Sequence, residues 1–290
     1  MNVELALDCR CELGEGPIWD ARIGRLVFVD INGHAIHSFD PASGAHDTVG
    51  CGEYVSAVAL AAPGGYIVTL QHDIAWFDGT RVGDRPLTVE AERDDTRFND
   101  GYVDPRGRLW AGTMSLIKAP AEGALYRIEM SPVPQVTRVL EGVTTSNGID
   151  WSGDGRLMYY VDTGTRRIDV FDFDPDAGTI ANRRTLVAIP ESEGKPDGLI
   201  VDDEGCIWVA LWQGSAVRRY SPDGRLVRQI DLPVSCPTKC AFGGPALDEL
   251  YITSARTALQ TEADRAREPH AGSVFVARPG VRGRAPHQFR

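Results

Sequence analysis

Four times in this chain a polar side chain stands immediately before a glycine at the head of a short apolar run: Glu15-Gly16, Asp100-Gly101, Asn147-Gly148 and Asp197-Gly198. Carboxylate and amide oxygens are the donors a hard divalent cation takes. Glu15, Asn147 and Asp197 would form an oxygen-only set of three, with positions left open for water and a further ligand, as catalytic metals require. Ca²⁺, Mg²⁺ and Mn²⁺ suit such a set, and Zn²⁺ or Fe²⁺ also bind carboxylates, so the donors leave the ion open among these five. The competing reading of any one site is turn chemistry, because Asn-Gly and Asp-Gly are common hairpin dipeptides. Recurrence at one register favours the ligand reading, since turns alone give no reason for acids and amides to gather on one side of a repeat.

Residues so far apart converge only if the fold places equivalent positions together, as a radial repeat does around its axis. Such a repeat is present. An apolar strand, a turn bearing Asp, Pro or Gly, and a second strand rich in aromatic and β-branched residues recur. The clearest copies are Pro17–Asp20 with Leu26–Asp30, Tyr102–Gly107 with Leu109–Gly112, Ile149–Gly155 with Leu157–Tyr160, and Leu199–Gly205 with Ile207–Ala210. Weaker copies start near Val55 and Lys239, which makes six at the roughly 40–50-residue period of a four-strand blade. A third strand follows each copy, for example His37–Phe39, Ala75–Phe77 and Val274–Ala277. Helical periodicity is absent apart from the short polar stretch Leu259 to Glu268. The expected fold is an all-β, six-bladed β-propeller with four antiparallel strands per blade. Val3 to Leu7 should complete the last blade beside Val274 to Ala277, because a propeller closes its ring to hide sheet edges. Residues 1–290 read as one domain.

Composition narrows the partners. The chain has 290 residues, 42% of them hydrophobic, which is ample for a core. A formal net charge of -11 gives neither attraction to a phosphate backbone nor to an anionic membrane surface, so neither nucleic acid nor membrane is an expected partner. The first residues lack a basic region followed by an apolar run, and the expectation is a cytoplasmic enzyme. Six cysteines without an export signal read as free thiols. Cys236 and Cys240 have a zinc-like spacing, but no second pair follows and the histidines are scattered, so a thiolate metal site is not expected. Asp172, Asp174 and Asp176 imitate a calcium loop, yet Gly178 comes one position late and Arg183 stands where a bidentate Glu belongs, so that segment reads as a hairpin. A nucleophile elbow, a phosphate loop and a complete dinucleotide fingerprint are all lacking.

Taken together, Leu13-Gly14-Glu15-Gly16-Pro17, Arg97-Phe98-Asn99-Asp100-Gly101, Gly112-Thr113-Met114, Ser146-Asn147-Gly148, Pro196-Asp197-Gly198 and Phe242-Gly243-Gly244 resemble the motifs of the regucalcin (senescence marker protein) and gluconolactonase family. The likeness runs from about Glu12 to Gly272 in the family's order. It implies a six-bladed propeller with one divalent metal ion that hydrolyses a sugar lactone to the aldonic acid, as in sugar catabolism. By the same resemblance Glu15, Asn147 and Asp197 match the metal ligands, and Arg97 and Asn99 match substrate contacts. Asp197 is the candidate general base. One departure bears on specificity: where regucalcin-like members carry acids after Gly-Thr-Met, this chain has Ser115, Leu116, Ile117 and Lys118. Lys118 is then a candidate sugar contact that can only donate, a pattern closer to the bacterial sugar-acid lactonases. The expected partner is a small-molecule sugar lactone, with the protein a monomer or weak homo-oligomer. The alternatives are a noncatalytic metal-binding or regulatory propeller and an interaction scaffold.

Overall fold

The computed structural model describes residues 2–130 and 133–290. After β1 (Val3–Leu7), the first blade is β2 (Gly14–Asp20), β3 (Arg25–Asp30), β4 (Ala35–Phe39) and β5 (His46–Gly50). The second is β6 (Ala57–Leu60), β7 (Tyr66–Thr69), β8 (Asp73–Phe77) and β9 (Leu87–Thr88), and the third β10 (Thr96–Val103), β11 (Leu109–Ser115), β12 (Gly123–Glu129) and β13 (Gln135–Val143). The fourth holds β14 (Ser146–Trp151), β15 (Leu157–Asp162), β16 (Arg167–Asp174) and β17 (Thr179–Ala188), and the fifth β18 (Lys195–Val201), β19 (Ile207–Trp212), β20 (Ala216–Tyr220) and β21 (Leu226–Asp231). The last is built from β22 (Pro237–Gly243), β23 (Glu249–Ser254) and β24 (Val274–Ala277), with β1 as its outer strand. All six sheets have four strands, so the expected propeller is the observed fold.

Closure is by the expected pairing of β1 with β24, in a register that sets Val3 opposite Ala277, Glu4 opposite Val276 and Leu5 opposite Phe275. The first strand therefore caps an edge that would otherwise be open. The polar stretch before β24 forms α1 (Glu262–Arg267), started by a capping box between Thr261 and Asp264. The Asp172–Asp176 segment is the hairpin joining β16 to β17, in which Asp174 Oδ1 accepts the N–H groups of Asp176 and Ala177.

Aromatic residues of the repeat fill the spaces between blades. Trp110 and Trp151, on adjacent blades, meet edge to face with centroids 6.0 Å apart, and Trp19 stacks on Tyr251 across the closure at 5.9 Å. With large side chains wedged outward between sheets, the innermost strands are drawn together at the axis.

Candidate metal centre at the propeller axis

Four of the six innermost strands deliver the polar-Gly pairs, and they do so from inside the strands. Glu15-Gly16 lies in β2, Asp100-Gly101 in β10, Asn147-Gly148 in β14 and Asp197-Gly198 in β18. The hairpin-turn reading of these dipeptides therefore fails at all four. Each sits at a break in strand pairing: between Glu15 and Ile18, Phe98 and Asp100, Ser146 and Ile149, and Pro196 and Leu199. β22 breaks between Pro237 and Cys240, at Lys239. Only β6 pairs with its neighbour without interruption. A bulge lets a side chain leave the alternation of its strand, which is how these five strands aim polar groups at the axis.

At Gly148 and Gly198 the requirement for glycine is crowding, whereas at Gly16 it is a φ of 54°. A Cβ on Gly148 would stand 2.5 Å from the Leu199 nitrogen, and one on Gly198 would stand 2.3 Å from the Lys239 side chain. Any larger residue at these positions would push adjacent inner strands apart.

Glu15, Asp100, Asn147, Asp197 and Lys239 are all buried. The Lys239 ammonium donates to Asp100 Oδ1 at 2.6 Å, and Asp100 Oδ2 is buried without a partner. Glu15 Oε2 accepts the N–H of Gly16 at 2.8 Å. Burial pushes the Glu15 pKa up to about 8, the Asp100 charge adding to the effect and Lys239 and Arg97 opposing it. Burial likewise raises Asp197 well above the carboxylate range, reinforced by Glu15 and Asp100. Burial lowers the Lys239 pKa, but the Asp100 and Glu15 charges outweigh it and the net shift is upward. The charges of Glu15, Asp100 and Asp197, carried by separate blades, thus act on one another near the axis.

Asn147 shows how that space is oriented. The Thr163 hydroxyl donates its proton to Pro196 O at 2.8 Å, so it can only accept from Asn147, whose Nδ2 donates to it at 3.0 Å. The amide is thereby turned with Oδ1 away from Thr163, where that oxygen is buried and has no partner. An orphaned amide oxygen beside two carboxylates that burial keeps from ionising is a donor set short of a cation. The residues fit a divalent ion.

Arg97 and Asn99 lie in β10 on the same side, both buried. Arg97 Nη1 donates to Phe98 O at 2.7 Å and Asn99 Oδ1 at 2.8 Å, and the guanidinium stands 5.7 Å from the Tyr54 ring centroid. Burial lowers its pKa to about 10, with Tyr54, Glu15 and Asp197 opposing, so it stays charged at neutral pH. Asn99 Nδ2 donates to Ser146 O at 2.8 Å, and this amide ties β10 to β14. Lys118 stands apart from the buried cluster, exposed on the connection after β11 beside the 75% exposed Ile117. That connection leaves the end of β11 where Met114 pairs with Arg97, so Lys118 belongs to the rim on the Arg97 side.

Three participants escaped the sequence reading. Asp100 carried the same Gly signal as the ligands. Lys239 marked a repeat but had no acid or glycine to flag it. Thr163 had no local signal, since its role depends on reaching a neighbouring blade.

A six-bladed propeller with carboxylates and an amide oxygen converging from different blades belongs to the class that builds its site on the axis rather than on one loop. Residues 13–256 match the SMP-30/Gluconolactonase/LRE-like region, and the chain belongs to that family. It is 36% identical to rabbit (Oryctolagus cuniculus) regucalcin over 300 residues, covering all of this chain and 98% of that protein. It is also 36% identical over 294 residues to a Bacillus subtilis protein named "Putative sugar lactone lactonase YvrE", covering 100% of this chain and 99% of that one. The solved structure of a calcium-binding protein, regucalcin, from Agrobacterium tumefaciens superposes with a TM-score of 0.93 at 27% identity, covering 100% of this chain and 97% of that one. Among the described residues no helix is long and apolar enough to cross a membrane.

Proposed function

We propose that this protein hydrolyses a sugar lactone to the aldonic acid, with one divalent ion held by Glu15, Asn147 and Asp197. The observation that carries the reading is the orphaned Asn147 Oδ1 beside two buried carboxylates whose pKa values are raised. Membership in a family with lactonases supports the substrate class. A bound divalent ion would supply Lewis acidity toward the lactone carbonyl and would neutralise the acids around it. In its ionised form Asp197 would accept a proton as water adds to the carbonyl carbon and return it to the ring oxygen, which leaves as a hydroxyl when the ring C–O bond breaks. Arg97, with only Nη1 engaged by protein among the described residues, has donors left for ring oxygens and hydroxyls. Asn99 positions that guanidinium through its Oδ1 and contacts substrate with its remaining hydrogen-bonding capacity. Lys118 donates from the rim.

The test is a panel of aldonolactones followed by proton release, using metal-stripped protein with single metals restored. Activity should vanish on stripping and return with an added ion; full activity without metal would sink the reading, and metal binding without turnover on any lactone would favour a regulatory propeller. Within the panel, five-carbon and deoxy-hexono lactones should be turned over at least as well as the gluconolactone. An exocyclic hydroxymethyl finds no acceptor on the side chains of Ile117 or Lys118, which stand exposed on the rim, so the added group gains nothing there.

A further inference from the structure

Away from the axis, at the closure of the ring, Cys11 Sγ, the Asp30 carboxylate and a ring nitrogen of His37 lie within 4.8 Å of one another, all on buried residues. Histidines that look scattered in the sequence are thus not scattered in space. Cys11 belongs to the segment joining β1 to β2, while Asp30 ends β3 and His37 sits in β4. Cys9 Sγ stands 3.6 Å from Cys11 Sγ, and His37 Nε2 stands 3.7 Å from Cys11 Sγ. Ligand atoms on one tetrahedral zinc ion, bonded at about 2.3 Å to sulfur and about 2.0 Å to nitrogen, are roughly 3.5–3.8 Å apart. Both separations match.

The surroundings are set for it. His37 Nδ1 lies 2.9 Å from His46 Nε2 and 3.2 Å from Thr48 Oγ1, and in the tautomer that carries its proton on Nδ1 the Nε2 lone pair faces the sulfur. The Asp30 carboxylate is held still by the N–H groups of Glu12, Leu13 and Gly33. Only one of these reaches Oδ2, which retains a lone pair.

We propose that Cys9, Cys11, Asp30 and His37 form a second metal site, separate from the axial one, which takes Zn²⁺ and clips the closing segment of the ring to the first blade. Cys11, Asp30 and His37 supply three mutually close donors, and Cys9, whose sulfur adjoins that of Cys11 but lies outside this group, turns in from Gly272 O as the fourth to complete the closed set of a structural ion. On binding, each thiol loses its proton to solvent and gains a bond to zinc, with no change of oxidation state. Tying the β1–β2 segment to β3 and β4 adds a cross-link where the two ends of the chain meet.

Cobalt provides the test, because thiolate-to-cobalt charge transfer in the near ultraviolet cannot arise from an oxygen-only site. Reduced, metal-stripped protein titrated with Co²⁺ should develop that band, Zn²⁺ should bleach it, and Asn147→Ala, which damages the axial set, should leave it intact. Cys11→Ser and Cys9→Ser should each weaken and shift the band, Cys9→Ser at the less buried position while the protein remains folded, and the double substitution should abolish it. Zn²⁺ should raise the unfolding midpoint of Asn147→Ala protein and not of the Asn147→Ala, Cys9→Ser double variant. No charge-transfer band in the reduced wild type, or an unchanged band in both cysteine variants, would overturn the proposal.

Discussion

Asp104 and Asp202, just past the far ends of β10 and β18, are as buried as Glu15 and Asp197 nearer the strand starts, yet their circumstances are opposite. Asp104 accepts from Arg108 Nε at 2.6 Å, Trp110 Nε1 at 3.0 Å and the N–H groups of Arg106 and Arg108. Asp202 repeats the pattern with Arg219 Nε at 2.7 Å, Trp208 Nε1 at 2.9 Å and the N–H groups of Glu204 and Cys206. Neither Glu15 nor Asp197 forms an ion pair among the described residues, and burial raises the pKa of both. β18 carries the frustrated Asp197 near its start and leads into the satisfied Asp202 just past its end. The satisfied acids pin hairpins and tryptophans. The frustrated ones store a need for positive charge at the axis, and that need is what a metal ion would meet.

Isosteric substitution at each end tests this division most severely. Asp197→Asn should lower kcat/KM on the preferred lactone by about a hundredfold or more, because it removes both a charged ligand and the candidate base. In the metal-free state the same change should raise the unfolding midpoint, since a buried carboxylate is replaced by a neutral amide. A metal-free variant less stable than the parent would mean that Asp197 is held by partners after all. Asp202→Asn should do the reverse, destabilising by about 3–5 kcal/mol in urea unfolding, because the amide keeps a single acceptor oxygen and no charge, so either Arg219 and Trp208 or the turn N–H groups face an N–H₂ instead. Activity per folded molecule should be preserved.

The smallest expected effect is in the pH dependence of metal-free protein. For Glu15 the folded pKa of about 8 lies above the ordinary 4.5, so between these values the folded state binds more protons than the unfolded one. Stability contributed by the protonated acid is complete below pH 4.5 and is lost as pH rises through about 8. Asp197 acts in the same direction. Unfolding free energies of stripped protein should therefore fall from pH 5 toward 8, and a saturating divalent cation should flatten the decline. A rise over that interval would place the acids in the satisfied class.

Much of the architecture was legible along the chain because strand alternation, turn residues and aromatic positions are local and recur six times. Pairing of Val3–Leu7 with Val274–Ala277 was legible too, because a ring with an open edge is physically unfavourable. The repeated polar-Gly register was legible, but not why glycine is needed there: tertiary crowding at Leu199 and Lys239 is what excludes a side chain at Gly148 and Gly198. Asp100 and Lys239 form a buried pair that neither local pattern announces.

Residue types alone determined that this chain would form a radial array of strands with oxygen donors at a repeated register. Only the tertiary structure decided which donors are left wanting. Whether an acid is satisfied depends on an arginine, a tryptophan or an amide arriving from another strand or blade, and Thr163 turning Asn147 toward the axis is such an arrival. The Cys11–Asp30–His37 group was decided the same way, by closure of the ring bringing the first blade against the segment that precedes it. Backbone preference acts over a few residues, whereas desolvation and charge act through space, and that difference in range separates what could be read from what had to be seen.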